Sequence, residues 1–501
     1  MPETQALIRR SATALLWSYA GAFTRAAAQL IIQVLLARLL GPQAFGQAML
    51  IMIVLGFGWL LADAGFGAAL IQRPELTEAD VSYALGWVLA VSITIGALIV
   101  VAAPQLSEAF GEPALAPMLR LCGALIPLQA LSNLPMSLLR RRLDMKRQQL
   151  IQVGSYVLGY GGVGALLALL GFGAWSLVIG FGAQTLIVLV AGYWVVRHTL
   201  RPTLRGDGAL RAFGFSVMGT NLANWAIDNL DRVVVGRFWG AGALGAYSAA
   251  GNLARAPAAL LVNASQSVVF SAASHVQRDP QRLGRGFLGA LNMVCLLTFP
   301  LFCFLGLHAE AVIHALYGER WQQSAPLFAA FCVAVPFYAV LAISGPVLWA
   351  VGWASSELKV QLSVAVALVV GLIMLANLPL ERAVWLVPAL YAARALLVVG
   401  ALARQVVLPA RRIGAAVRGG ALLAVLVLGA TLAVNPWVTS TWMQAVWAGA
   451  ASLLLCLAAI RLGGRVLLCV ELRQAVQSRA ATSLTARRLC TMLGLHAGAA
   501  R

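Results

Sequence analysis

The sequence predicts an all-α, polytopic membrane protein. Three observations carry that prediction. The 501 residues are 61% hydrophobic and only 11% charged, where soluble domains carry roughly 25% charged residues, and the mean hydropathy is +0.86. Apolar stretches of about 20 residues, the length that crosses a hydrocarbon core of about 30 Å, recur along the whole chain. The basic residues fall mainly in alternate connections, as they do when one side of a bilayer retains them.

The apolar stretches give fourteen expected spans. The first six are 13–37, 43–63, 84–106, 115–138, 150–171 and 174–196. A polar link, "RHTLRPTLRGDGALR" (197–211), follows. The remaining eight are 213–236, 242–270, 284–307, 324–349, 358–378, 384–403, 416–435 and 442–461. Arg9 and Arg10 before an apolar run resemble a signal peptide. The run passes Arg25 and continues to Leu40, so a retained first helix is the better reading.

With the N-terminus placed in the cytoplasm, one side collects Arg73, then Arg140, Arg141, Arg142, Lys146 and Arg147. The same side holds Arg197, Arg201, Arg205, Arg211, Arg278, Arg282, Arg285, Lys359, Arg404, Arg411, Arg412 and Arg418. The other side holds Arg38, Arg120, Arg237, Arg320 and Arg382. This asymmetry predicts that both termini are cytoplasmic. It also accounts for the net charge of +19 without nucleic acid, for which there is no motif and no basic stripe with interleaved aromatics. The seven Cys have no metal-ligand spacing. No nucleophile elbow or phosphate-cradling loop is present, and no cofactor, metal or enzymatic activity is expected.

The chain also repeats itself. "ARLLGPQAFGQA" (37–48) matches "GRFWGAGALGAY" (236–247) at Arg38/Arg237, Gly41/Gly240, Ala44/Ala243 and Gly46/Gly245. "FGE" (110–112) answers "YGE" (317–319), and Ala116-Pro117 and Pro127 answer Ala325-Pro326 and Pro336. The pattern predicts a duplicated six-helix unit: helices 1–6 in residues 1–200 and helices 7–12 in 201–410. Helices 13–14 in 411–462 and a basic tail, 463–501, lie outside the duplication. Such parallel repeats place substrate between the halves near the midplane. Arg38 and Arg237, each beside its glycine, read as helix-end residues at a tight turn. "GYGGVGALLALLGFG" (159–173) reads as a small-residue packing surface.

Three spans present polar stripes at helical spacing. The first carries Ser18, Gly21, Arg25, Gln29 and Gln33; the seventh carries Asn221, Asn224, Asp228 and Asp231, with Arg232 beside them; the eighth carries Ser248, Asn252, Arg255, Asn263 and Gln266. A guanidinium at mid-bilayer costs about 2.5–3.5 kcal/mol on insertion scales, so Arg25 faces protein or water rather than acyl chains. Two accounts compete. In one, Arg25, Arg232 and Arg255 neutralise Asp63, Asp228 and Asp231. In the other, Arg25 and Arg255 form a site for an anionic substrate, since the guanidinium fork suits phosphate. The second is favoured for Arg25 and Arg255, with Gln29, Gln33, Asn221, Asn224, Asp228 and Asn252 as polar lining. Asp63, Asp231 and Arg232 are then a charge network. Arg394 reads as packing or snorkelling.

"ARLLGPQAFGQAMLIMIVLGFGWLLADAGFGAALIQRPELTEAD" (37–80) resembles the Wzx/WzxC-type polysaccharide flippases of the multidrug/oligosaccharidyl-lipid/polysaccharide exporter superfamily. "FGEPALAPMLRL" (110–121), "SLLRRRLDMKRQQLI" (137–151) and "NWAIDNLDRVVVGRFWGAGALGAYSAA" (224–250) fit the same family. The resemblance implies two six-helix lobes around a central cavity in the bacterial inner membrane. It implies movement of an undecaprenyl-diphosphate-linked oligosaccharide to the periplasmic leaflet by alternating access, with Arg25 and Arg255 placed to meet the diphosphate. A polysaccharide polymerase, export machinery and a coupling ion are the partners it suggests. The runner-up is a cation-coupled multidrug or metabolite antiporter on the same scaffold. A membrane glycosyltransferase would need large catalytic loops, which are missing.

Overall fold

The computed structural model describes residues 2–73, 75–206, 208–276, 279–350, 352–406, 408–438 and 440–480. Among them every regular element is helical, as the composition predicts. In chain order these are α1 (Pro2–Asp63), α2 (Phe66–Gln72), α3 (Glu78–Ala109), α4 (Leu115–Arg141), α5 (Met145–Tyr156), α6 (Ala165–Leu169), α7 (Trp175–Val196) and α8 (Gly208–Val276). They continue with α9 (Pro280–Leu307), α10 (Ala309–Tyr317), α11 (Ser324–Ala350), α12 (Ala354–Met374), α13 (Leu380–Ala383), α14 (Leu386–Gln405), α15 (Ala410–Val434), α16 (Thr441–Leu467) and α17 (Val470–Ala480). The chain forms two compact units, Met1–Ser248 and Ala249–Arg501, and the boundary falls within α8.

Eleven helices among the described residues are long and apolar enough to cross a membrane. The difference from fourteen expected spans has a physical reason. Spans 13–37 and 43–63 form one element, α1, broken at Gly41 with no loop between them. Spans 213–236 and 242–270 form one element, α8, broken at Gly240, and α8 is not among those eleven.

The break in α1 is written in its sequence. Gly41 has φ 73° and ψ 173°, a region held essentially by glycine alone. Pro42 then restarts the helix, where its fixed φ fits and its missing N–H costs nothing. α8 breaks in the same way at the matched Gly240, with φ 84° and ψ 175°. The two turns meet within the first unit. A Cβ on Gly46 would stand 1.7 Å from the Ala241 carbonyl oxygen, and one on Gly245 would stand 2.1 Å from that of Pro42. Gly46 and Gly245 are themselves repeat partners, so the contact is reciprocal. The second repeat signature behaves alike: Gly111 (φ 68°) and Gly318 (φ 89°), the glycines of "FGE" and "YGE", both take positive φ after a helix.

Close backbone approach recurs through the first unit. α3 and α4 cross where Gly96 and Gly123 each face the other's carbonyl. α5 runs into α6 through a π-helical turn, Val157–Gly164. That turn packs Gly159 on the Gln184 backbone and Gly164 on Gly180 of α7, so the first part of the run 159–173 packs closely, whereas Gly171 and Gly173 face open space. α3 opens with a capping box: Thr77 Oγ1 accepts from Asp80 N, and Asp80 Oδ2 accepts from Thr77 N at 2.9 Å.

In the second unit α9 packs on α11 and α15 around Phe287, Leu288, Leu291, Ile343 and Leu402. Buried Asn292 ties three elements together. Its Nδ2 donates to the carbonyls of Ala416 (2.7 Å) and Leu467 (3.1 Å), and its Oδ1 accepts from Cys469 N (3.1 Å). Of the two expectations for Arg394, packing rather than snorkelling holds: its Nη2 lies 3.4 Å from Glu357 Oε1, and Trp349 Nε1 donates to Glu357 Oε2 at 2.5 Å. A carboxylate two helices away offers the guanidinium a better end than the headgroups.

Candidate functional site

The first unit holds a cavity of about 470 Å³ walled by α1, α2, α4, α5, α7 and the start of α8. Arg25 and Asn221, which the stripes single out, line it, as does Asp63, expected in the charge network. So do Gln129, Asn133, Arg140, Gln152, Gln184 and Thr185, which the stripes do not reveal. The cavity reaches Ile71 at the end of α2 and Arg140 at the end of α4, so it extends to the end of the unit that carries Arg73, Arg141, Arg142 and Lys146.

Small residues set its geometry. Gly21 leaves room for Gln149, since a Cβ there would stand 2.4 Å from Gln149 Cγ. One turn further along both helices, Arg25 Nη1 donates to Gln152 Oε1 at 2.5 Å. At the other wall, Ala64 (φ 45°) and Gly65 (φ 70°) turn the chain sharply between α1 and α2. A Cβ on Gly65 would stand 2.2 Å from the Gly214 carbonyl oxygen. Gly67 likewise makes way for Asn133, whose Nδ2 donates to Asp63 Oδ1. Arg141 then fixes α2 by donating Nη1 to the carbonyls of Leu70 (2.8 Å), Ile71 (3.2 Å) and Arg73 (2.5 Å). On the α4–α7 side, Thr185 Oγ1 donates to Gln129 Oε1 at 2.7 Å.

Among the described residues neither Arg25 nor Asp63 is in an ion pair. Each is held by a neutral amide, Gln152 and Asn133 respectively. An amide carbonyl orients a guanidinium without cancelling its charge, so Arg25 keeps its positive charge for another anion.

The other predicted residues fall elsewhere. Gln29 and Gln33 are half-buried on α1 and outside this lining, and Asn224 and Asp228 are exposed on α8. Asp231 is buried and accepts from Tyr247 Oη at 2.8 Å, beside half-buried Arg232. Asn252 and Arg255 are half-buried on α8 in the second unit. The side chains of Asn263 and Gln266 lie outside the described residues.

Residues 35–326 match the family model described as "Polysaccharide biosynthesis protein". The chain belongs to that family. It is 30% identical over 297 residues to the succinoglycan biosynthesis transport protein ExoT of Rhizobium meliloti, covering 58% of this chain and 60% of that one. It is 26% identical to the teichuronic acid biosynthesis protein TuaB of Bacillus subtilis over 59% and 62% of the two chains. It is 23% identical to the lipopolysaccharide biosynthesis protein WzxC of Escherichia coli over 61% and 62%. The chain spans about three fifths of the length of these curated relatives. In fold the chain is similar to a solved structure of the lipid II flippase MurJ (that structure being in its inward-closed conformation), with TM-score 0.74 at 13% identity over 90% of this chain and 99% of that one. An inward-facing multidrug resistance MATE family transporter of the MOP superfamily aligns with TM-score 0.60 at 17% identity, over 76% and 94%. The chain is thus a multi-pass membrane protein of a polysaccharide biosynthesis protein family, with the MurJ/MATE fold.

Proposed function

We propose that this chain moves an undecaprenyl-diphosphate-linked oligosaccharide repeat unit from the cytoplasmic to the periplasmic leaflet of the bacterial inner membrane, for exopolysaccharide, capsule or O-antigen synthesis. Both termini are cytoplasmic in this reading. Helices within 1–200 and 201–410 form two lobes that rock in alternating access, with 411–462 and the tail 463–501 as additions. No covalent reaction is catalysed.

The observation that carries the reading is Arg25 in its cavity. Its charge is oriented by Gln152 and uncancelled, and it shares the wall with a second guanidinium, Arg140. Two guanidiniums against one carboxylate favour an anion of more than one charge, and forked donors match phosphoryl oxygens. Hydroxyls and amides of Ser132, Gln129, Gln184, Thr185 and Asn221 offer hydrogen bonds to sugar. The cavity meets the basic end of the unit, where the field draws in an anionic headgroup. Arg255 is the matching cation proposed for the second half, with Asn252 as lining. Asp231 and Arg232 serve the network around Tyr247.

The test is a deletion strain. Loss of the gene accumulates the lipid-linked repeat unit, read by mass spectrometry, and wild type clears it. Arg25→Gln, inserted at the wild-type level, does not clear it; full clearance by that variant removes Arg25 from the mechanism. One observation favours the antiporter alternative: Asp63 sits in the same cavity without an ion pair. Drug efflux that depends on Asp63 would carry that reading instead.

A further inference from the structure

The second unit carries a groove that the transport reading does not use. Two adjoining cavities of about 430 and about 450 Å³ share Glu310, Ala325, Pro326 and Thr441 in their walls. They lie between α10 and the starts of α11 and α16. This is the end of the unit opposite Arg282, Lys359 and Arg411, which stand near the starts of α9, α12 and α15. Gly306, Ala325 and Ala329 leave the space. The polar wall offers Glu310, His314, Gln322, Asn435, Gln444 and Trp442, and neither lining contains Lys or Arg.

The indole in this groove is held in place. Trp442 Nε1 donates to His314 Nδ1 at 3.3 Å, with the rings 6.1 Å apart. Accepting at Nδ1 puts the imidazole proton on Nε2, which faces Glu319 Oε1 at 3.8 Å. The neighbouring chain is fixed as well: Gln444 Nε2 donates to the carbonyls of Val438 (2.6 Å) and Asn435 (3.3 Å), leaving its oxygen as an acceptor. The groove is thus a fixed aromatic plate beside a carboxylate and several amides.

That chemistry selects a ligand class. A phosphate would meet a carboxylate and no cation. An acyl chain would leave the amides unsatisfied. A metal ion would need a cluster of ligating side chains, and the described residues contain none. A polyhydroxylated ring fits each group: its hydroxyls donate to Glu310 and the amide oxygens, and its C–H face packs on the indole.

We infer that this groove binds carbohydrate, a neutral oligosaccharide segment on the exported side, with Trp442 as the stacking face and Glu310 as the principal acceptor. The sidedness rests on the transport reading; the binding chemistry does not.

The experiment uses the full chain in phosphatidylcholine nanodiscs. The probe is the repeat-unit oligosaccharide of the strain's own polymer, cut from its lipid by mild acid and followed by saturation-transfer NMR. Ring C–H protons receive transfer in wild type. Trp442→Ala and Glu310→Gln each weaken binding about tenfold, whereas Trp442→Phe keeps the ring and most of the affinity. Glu310 is exposed, so its substitution tests the site even where loss of the indole harms folding. Arg25→Gln leaves this binding unchanged, and inorganic diphosphate does not compete. The inference is overturned by no transfer in wild type, or by transfer indifferent to both Trp442→Ala and Glu310→Gln, which would leave Trp442 an ordinary interfacial aromatic. Normal clearance by Arg25→Gln together with intact groove binding would sink the transport reading and spare the groove.

Discussion

Replacing Gly46 by alanine should damage the protein more than any comparable glycine change in the first unit. The added Cβ would stand 1.7 Å from the Ala241 carbonyl oxygen and 2.9 Å from Gly245 N. Cβ atoms essentially never come within 3.0 Å of another heavy atom, so the two turns must part by about 1.3 Å. Both partners are backbone, and no rotamer change relieves the clash. Overpacking of this kind costs about 1–3 kcal/mol. Gly245→Ala meets the Pro42 carbonyl at 2.1 Å and should cost nearly as much. The control is Gly154, in α5, where a Cβ meets nothing within 4 Å. There alanine has the higher helix propensity and should stabilise by up to about 1 kcal/mol. Thermal unfolding in detergent, followed by tryptophan fluorescence, reads the difference: Gly46→Ala melts several degrees below wild type and Gly154→Ala at or above it. A Gly46→Ala variant that melts with Gly154→Ala would refute the reciprocal contact between the repeats.

Other outcomes follow from the same structure. Asn292→Leu strands two buried carbonyls and one N–H at about 1–3 kcal/mol each, and should expose the α16–α17 junction to trypsin under conditions where wild type resists. Glu357→Gln leaves the half-buried Arg394 without its counter-charge, a loss of about 3–5 kcal/mol, and Arg394→Gln on the same chain should restore part of the lost melting temperature. Burial pushes the Cys469 thiol, which lies between α16 and α17 beyond the apolar span, up to about 11 from an ordinary value near 9. A raised folded-state value means stability that is whole below about pH 9 and lost as pH rises through about 11. A variant retaining only Cys469 should therefore show maleimide labelling with a midpoint near pH 11, and a midpoint near 9 would contradict the burial.

Much of this architecture was legible in the residues. Apolar runs placed α3, α4, α7, α9, α11, α14, α15 and α16 because a bilayer demands long, uninterrupted helices. The Gly41/Gly240 pairing was legible because only glycine takes that backbone angle. The short helices α2 and α10 were not, since neither is long enough to show a period; they are held by Arg141 in one case and by packing on α11 in the other. The site divides in the same way. Arg25 declares itself by its cost in a bilayer. Gln152, Asn133 and Gln129 carry no charge and sit on helices that looked merely apolar, and their role depends on which helices meet. The local signal was negative: Gly67, a small residue opposite Asn133, and Gly21, which admits Gln149 one turn before Gln152. The account in which Arg25 merely neutralises Asp63, and the charge network expected around Asp63, overlooked that an amide meets the same hydrogen-bond need.

The central claim is that a guanidinium at Arg25, charged and oriented by a neutral amide, holds the diphosphate of a lipid-linked substrate. The most direct measurement is translocation of a fluorescent undecaprenyl-diphosphate saccharide, and of its monophosphate counterpart, in liposomes containing the purified chain. Wild type should favour the diphosphate, and Arg25→Gln should lose that preference by about 10- to 100-fold, the worth of a charge-assisted contact. Equal transport of both lipids by wild type, or an undiminished preference in Arg25→Gln, would contradict the account.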